Sequence, residues 1–286
     1  GTLYYKLIYD DFTSKFGILF SSQMYLGLSG MAAMPGLVDK RQVFYKQRAA
    51  SFFPTIAYVF AQTVVDVTIA VCENIIYSNL VYWLVGLAPS AYGVYFGLCI
   101  LLALSLSQWF AAIAAIAPNT AAAQPLGGLS IVLCVLFSGF IIQRSEIPEG
   151  WKFVYWLSPI SLAWRAACIN EFRSDRYDKC TYQISELGCP RDVDDGCCAE
   201  NTDGIFFLKT YAVQTGTEYI TIGLCVLFVY FCFSLALQTF LLSNVRHSSH
   251  GSQKAEQEDI EEYEMSVASQ IVKPSELEED DDTDIP

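Results

Sequence analysis

The sequence predicts an all-α polytopic membrane protein. Three observations carry that prediction. Of 286 residues, 53% are hydrophobic and only 16% charged, where a soluble domain carries roughly 25% charge. Four long runs hold no charged residue, 16–38, 49–65, 74–143 and 219–245, and a bilayer-crossing helix needs about 20 apolar residues. The net charge of -13 is concentrated at one end: residues 251–286 hold 13 acids and two lysines, leaving a near-neutral apolar body. Such a body argues against a cytosolic enzyme, and the acidic balance argues against a nucleic-acid partner.

Helices are expected at 16–36, 55–86, 93–117, 124–142 and 218–243. The first fills the run between Lys15 and Asp39. The second is long because its apolar pattern continues past Asp66 and Glu73 to Gly86. The run 74–143 exceeds one crossing at about 1.5 Å per residue, and Pro89, Pro118 and Pro125 divide it, with turns at 87–92 and 118–123. The last helix fills the run between Glu218 and Arg246. The stretch WKFVYWLSPISLAWRAACIN at 151–170 contains Lys152, Pro159, Arg165 and three tryptophans. It predicts a re-entrant outer hairpin packed against protein rather than a sixth crossing. Residues 39–53 combine basic charge with Val43, Phe44, Phe52 and Phe53, the pattern of an amphipathic helix lying on the membrane surface; a topogenic basic loop is the alternative. Residues 1–246 thus form the membrane domain, and 247–286 an acidic tail, disordered by composition. The opening GTLYYKLIYDD lacks the basic start and apolar core of a signal peptide, and a chain starting at Gly1 is expected to be a piece of a longer one.

Orientation follows from Lys and Arg in short loops. Residues 39–48, DKRQVFYKQR, carry two Lys and two Arg against one Asp, so this loop is expected in the cytoplasm. Counting crossings puts 87–92 outside, 118–123 inside, 144–217 outside and the tail inside. Cys180, Cys189, Cys197 and Cys198 then fall in an outer loop, where disulfides are favoured. Sequence cannot choose among their pairings; a zinc site and free thiols are the alternatives, and no His lies in that loop. Cys72, Cys99, Cys134, Cys225 and Cys232 fall in the spans as small packing residues.

No phosphate-binding loop, zinc-protease helix, nucleophile elbow or dinucleotide fingerprint occurs. The two histidines, His247 and His250, lie at the tail root. No catalytic site and no metal site is therefore expected. The informative residues are intramembrane. Asp66 and Glu73 are seven apart, hence on nearly one helix face, with Gln62 a turn before Asp66 and Asn74 beside Glu73. They line a substrate path or make polar contacts between helices. Gly93 and Gly97, and Gly127 with Gly128, are candidates for close helix approach. Ser105, Ser107 and Gln108 form a mild polar patch.

The string DKRQVFYKQRAASFFPTIAYVFAQTVVDV resembles the first cytoplasmic loop and following helix of ABC transporters of the G subfamily. FSGFIIQRSEIPEGWKFVYWLSPISLAWRAACINEF resembles the end of that family's fifth helix and its re-entrant hairpin, in Phe137, Ser138, Gly139, Phe140, Ile147, Pro148, Trp151, Tyr155, Trp156, Ser158, Pro159 and Asn170 to Phe172. GTLYYKL resembles the outer end of its first helix. Order and spacing hold over about residues 1–245, with the pleiotropic drug resistance branch suspected, though half-size members share these motifs. The resemblance implies a transmembrane domain of five full helices plus the end of a first one. It implies a nucleotide-binding domain, fused upstream or separate, that supplies ATP and Mg, and a second transmembrane domain as partner. Residues 39–53 would be the coupling helix, with Lys40, Arg41, Phe44, Lys46 and Arg48 as its docking surface, and 144–172 would cover the outer mouth. The expected function is export of apolar or amphipathic molecules, such as lipids, sterols or xenobiotics, and the expected location is the plasma membrane. The rival is a membrane scaffold or accessory subunit recruiting cytosolic partners through its acidic tail.

Overall fold

Apolar runs punctuated by proline and glycine become helices throughout, with no strand among the described residues. The computed structural model describes residues 11–178 and 202–245, all within one unit spanning residues 1–245; a second unit, Arg246–Pro286, lies outside the described residues. The expected tail and the cysteine loop with Cys180, Cys189, Cys197 and Cys198 therefore also lie outside them. Cys72, Cys99, Cys134, Cys168, Cys225 and Cys232 are free thiols, so no disulfide is supported among the described residues.

Helix α1 spans Phe12–Ala32 and α2 spans Met34–Ala49, with Ala33 alone between them. Pro35 has no amide to continue the ladder of α1, so the break falls there. The basic segment is thus the second half of a broken rod, starting five residues before the expected 39. Helix α3, Thr55–Val85, begins after Pro54 and ends at Gly86, whose φ of 75° makes a left-handed cap that glycine adopts without strain. Helix α4 spans Tyr92–Ile116. Helix α5, Thr120–Leu136, starts four residues early because the Asn119 side chain accepts the Ala122 amide at 2.9 Å, the standard N-cap bond. It also stops six residues before the expected 142. Gly139, at a φ of 93°, turns the chain where a Cβ would sit 2.8 Å from the Tyr155 ring.

The hairpin follows as α6, Lys152–Leu157, and α7, Pro159–Phe172, broken by Pro159. Helices α8, Asp203–Thr210, and α9, Glu218–Asn244, complete the described chain. By length and composition, α3, the segment Pro89–Ile116 containing α4, and α9 can each cross a membrane; α5 is a shorter apolar helix. Helix α1, at 21 residues, is about 31 Å long, but Ser21, Ser22 and Gln23 dilute its apolar character.

Helix α4 sits at the centre, against α1, α2, α3, α5, α7 and α9. Leu98, Cys99, Leu102 and Phe110 on it are fully buried, as are Phe16 on α1 and Trp164 on α7. Gly30 lets α1 come within contact of the α4 backbone at Ser107. Gly127 does the same for α5, where a Cβ would meet Met34 at 2.7 Å. Gly93 and Gly97 have open space around them, so that expected seam joins no helices here. The outward faces are apolar: Phe60, Ile69, Ile76, Leu129, Val132 and Val229 are all exposed.

Candidate functional site

Helix α2 is tied to the ends of the central helices by its own side chains. Arg41, only 4% exposed, donates from Nη1 to the carbonyls of Ala114, Ala115 and Ala117 and from Nη2 to that of Pro118, at 2.7–3.1 Å. These are the carbonyls that a helix C-terminus leaves without intrahelical partners, and a cation there also complements the helix dipole. Burial pushes the Arg41 pKa down from the ordinary arginine value. Arg48 donates to the carbonyls of Leu242 and Ser243 at 3.1 Å, and the Tyr45 hydroxyl donates to that of Val245 at 2.7 Å. Phe44, fully buried, joins Val59, Ala115 and Leu242 in a small core with Phe53 and Tyr58 around it. One short helix thereby grips the start of α3 and the C-terminal ends of α4 and α9.

The five residues expected on a docking surface divide by this geometry. Arg41, Phe44 and Arg48 face the domain's own helix ends. Lys40 and Lys46 are exposed, as is Val43 at 55%. Sequence reasoning missed that division, and it missed Tyr45.

The intramembrane group is partly assembled. Asp66 accepts a hydrogen bond from the Gln108 amide of α4 at 3.4 Å. Asp66 and Glu73, with Ser29 of α1 and Ser107 of α4, line a cavity of about 110 Å³. Gln62, Asp66 and Lys40 line a neighbouring one of about 290 Å³ toward α2. Gln62 also shares a small cleft with Arg41 and Gln238. A polar seam therefore runs along one face of α3 from α2 toward mid-helix. Asn74 is not part of it: it is fully buried, and neither atom of its side-chain amide has a hydrogen-bond partner among the described residues.

At the opposite end a second lock joins the hairpin to the α3–α4 turn. Glu171, 1% exposed, accepts the Ala88 amide on both carboxylate oxygens, at 2.9 and 3.1 Å, and the Tyr177 hydroxyl at 3.3 Å. The Tyr82 hydroxyl donates to the Ala88 carbonyl and lies 3.3 Å from Glu171 Oε2. Asn170 donates to the Ala91 carbonyl at 2.6 Å, and Arg176 donates to that of Gly86. Burial pushes the Glu171 carboxyl up, against the downward pull of its donors. The sequence singled out Asn170 and Glu171 only through their resemblance to a family motif; a lone acid next to an apolar helix was the physical signal.

The sequence matches the family model of the ABC-2 type transporter over residues 1–172. ABC transporter G family member 2 of Dictyostelium discoideum is 28% identical over 262 residues, 87% of this chain and 20% of that protein. ABC transporter G family member 31 of Arabidopsis thaliana is 30% identical over 239 residues, 80% of this chain and 16% of that protein. ABC transporter G family member 5 of Dictyostelium discoideum is 31% identical over 195 residues, 67% and 13% respectively. The chain spans a fifth or less of the length of these relatives. The expected resemblance to the G subfamily is thus shown, together with an all-α, multi-pass integral membrane architecture. By a family match over more than half of its length, the chain belongs to the ABC-2 type transporter family.

Proposed function

We propose that this chain is the transmembrane domain of an ATP-driven exporter of apolar or amphipathic molecules. A nucleotide-binding domain, fused upstream or separate, supplies ATP and Mg, and a second transmembrane domain completes the path. Residues 1–246 are the transport domain and 247–286 a cytoplasmic tail. The protein resides in the plasma membrane, with α2 in the cytoplasm and the 180–198 loop outside. Family membership and the names of the relatives support transport. The basic charge of α2 supports its cytoplasmic side.

One observation carries the mechanism: α2 is hydrogen-bonded to the ends of both α4 and α9. Nucleotide shifts a conformational equilibrium only through a difference in binding between two states, and that difference must reach the path mechanically. A push on α2 is transmitted to α4 and α9 through Arg41 and Arg48, while Lys40 and Lys46 face the partner that pushes. Asp66, Gln62 and Glu73 line the wet side of the path, since acids within a span face a cavity or the bundle interior.

The test is the double substitution Lys40→Glu and Lys46→Glu in the full-length polypeptide. Both side chains are exposed, so the fold is expected to survive, judged by an unchanged elution profile. Substrate moved per ATP hydrolysed is expected to fall at least tenfold. An unchanged ratio would remove α2 from the coupling role.

A further inference from the structure

Two guanidinium groups lie against one ring, that of Trp156, with no acidic partner among the described residues. Arg165, only 4% exposed, donates from Nε to the Ser161 carbonyl at 3.2 Å. Its guanidinium carbon lies 4.6 Å from the Tyr155 ring centre and 4.4 Å from that of Trp156. Its Nη1 is buried and has no hydrogen-bond partner among the described residues. Arg144, half-buried, reaches the same Trp156 ring at 5.5 Å. Aromatic faces offset part of a cation's desolvation. Two cations against one ring still repel, and a buried charge calls for a counter-charge. The nearby Lys152–Glu149 pair is self-contained.

The other face of the same short helix borders an apolar cavity. Val154 and Leu157 of α6, Leu133 of α5 and Val226, Val229 and Phe233 of α9 line a space of about 540 Å³. That lies within the ordinary range for small-molecule sites. The cation pair sits on Tyr155 and Trp156, and the cavity on Val154 and Leu157, so six residues of α6 separate charge from oil. Trp151 and Trp156 are 52% and 39% exposed, as befits side chains at the level of lipid headgroups.

We propose that an anionic phospholipid is a resident ligand of this domain, with its phosphate between Arg144 and Arg165 and an acyl chain in the cavity between α5, α6 and α9. Arg144 supplies the outer guanidinium and Arg165 the inner one. A sterol would fill the cavity and leave both cations uncompensated. A free phosphate would compensate the cations and leave the cavity unfilled. A zwitterionic lipid brings a third positive charge to a site that already holds two. The site is independent of the export reading, because it requires binding and no turnover.

Native mass spectrometry of the full-length protein, released from detergent micelles, tests this with phosphatidylglycerol, phosphatidylcholine and inorganic phosphate as probes. Retention of phosphatidylglycerol at least tenfold tighter than phosphatidylcholine is expected. Arg144→Gln should erase most of that preference. Val229→Trp, at a residue 64% exposed on the cavity wall, should abolish retention of phosphatidylglycerol while the elution profile stays unchanged. Equal retention of the two lipids overturns the proposal, as does a preference that survives both substitutions. Displacement of phosphatidylglycerol by equimolar inorganic phosphate would reassign the site to a free anion and overturn it as well. Loss of export with lipid retention intact would touch the export reading alone.

Discussion

Arg41 looks, in the sequence, like one charge among four in a basic loop. In the fold it is a buried fastener for four carbonyls at the end of α4. Net hydrogen bonds to a charged group contribute about 1.5–3 kcal/mol each and do not simply add. Arg41→Met keeps the apolar stem and removes every donor. It should cost about 3 kcal/mol and lower the melting midpoint of the purified protein by several degrees. Arg41→Lys should recover only part, because a compact ammonium cannot span the carbonyls that a planar fork reaches. Lys40→Ala, exposed one position away, should stay within about 0.5 kcal/mol of the parent; an equal loss there would contradict the clamp. The distinction was legible, though not in the charges. Met34, Val38, Arg41 and Phe44 are the buried positions of α2, and Arg48 continues them at helical spacing. An arginine within an apolar stripe marks an inward face, but counting Lys and Arg per loop treats all four cations alike. The polar seam was legible for the same reason: Gln62, Asp66 and Glu73 share a face by spacing. Asn74, one residue on, is rotated off it.

Among the elements, α3 and α9 lie within one residue of expectation, because Pro54, Gly86, Glu218 and Arg246 mark their ends by simple chemistry. Helix α5 did not, because Pro125 looks like a boundary while the bond from Ala122 to Asn119 starts the helix before it. Glycine spacing also misled: Gly127 is pressed against Met34, while Gly93 and Gly97 face open space, and spacing alone carries no information about what lies opposite. Helices α6 and α7 fall within the expected hairpin segment, but their fastening was not legible, since Ala88 and Glu171 are 83 residues apart. That lock has a pH signature. With its pKa raised by burial, the folded Glu171 holds its proton more tightly than the unfolded chain does. The contribution is therefore fully present below the ordinary glutamate range and is lost as pH rises from about 4 toward the raised value. Glu171→Gln has no proton to lose. Relative to that variant, the parent's melting midpoint should fall across this window; a difference that is constant with pH would show that the carboxyl does not titrate there.

At the scale of the molecule, apolar residues lie both inside and outside. Trp164 and Phe110 are buried, yet Phe60, Ile69 and Ile76 on α3 and Val229 on α9 stand exposed. In water such faces would drive aggregation; within a bilayer they cost nothing, because lipid tails are as apolar as leucine. This is why composition and uncharged runs revealed the architecture, while helix-by-helix packing stayed hidden: hydropathy says that a helix is greasy all round, not which side meets protein. Exposure in the fold supplies that side, and it makes an asymmetric prediction. Phe228, 55% exposed near the middle of α9, meets lipid or a partner helix, and neither accepts a lone charge. Phe228→Lys should therefore cost about 2.5–3.5 kcal/mol of insertion free energy, read as a large drop in correctly inserted protein in a glycosylation-mapping assay. Lys40→Glu on α2 should leave insertion unchanged to within a few tenths of a kcal/mol, because that residue is exposed on a helix outside the spans. Equal insertion of Phe228→Lys and the parent would mean that the outer face of α9 meets water, and the membrane assignment of this helix would fall with it.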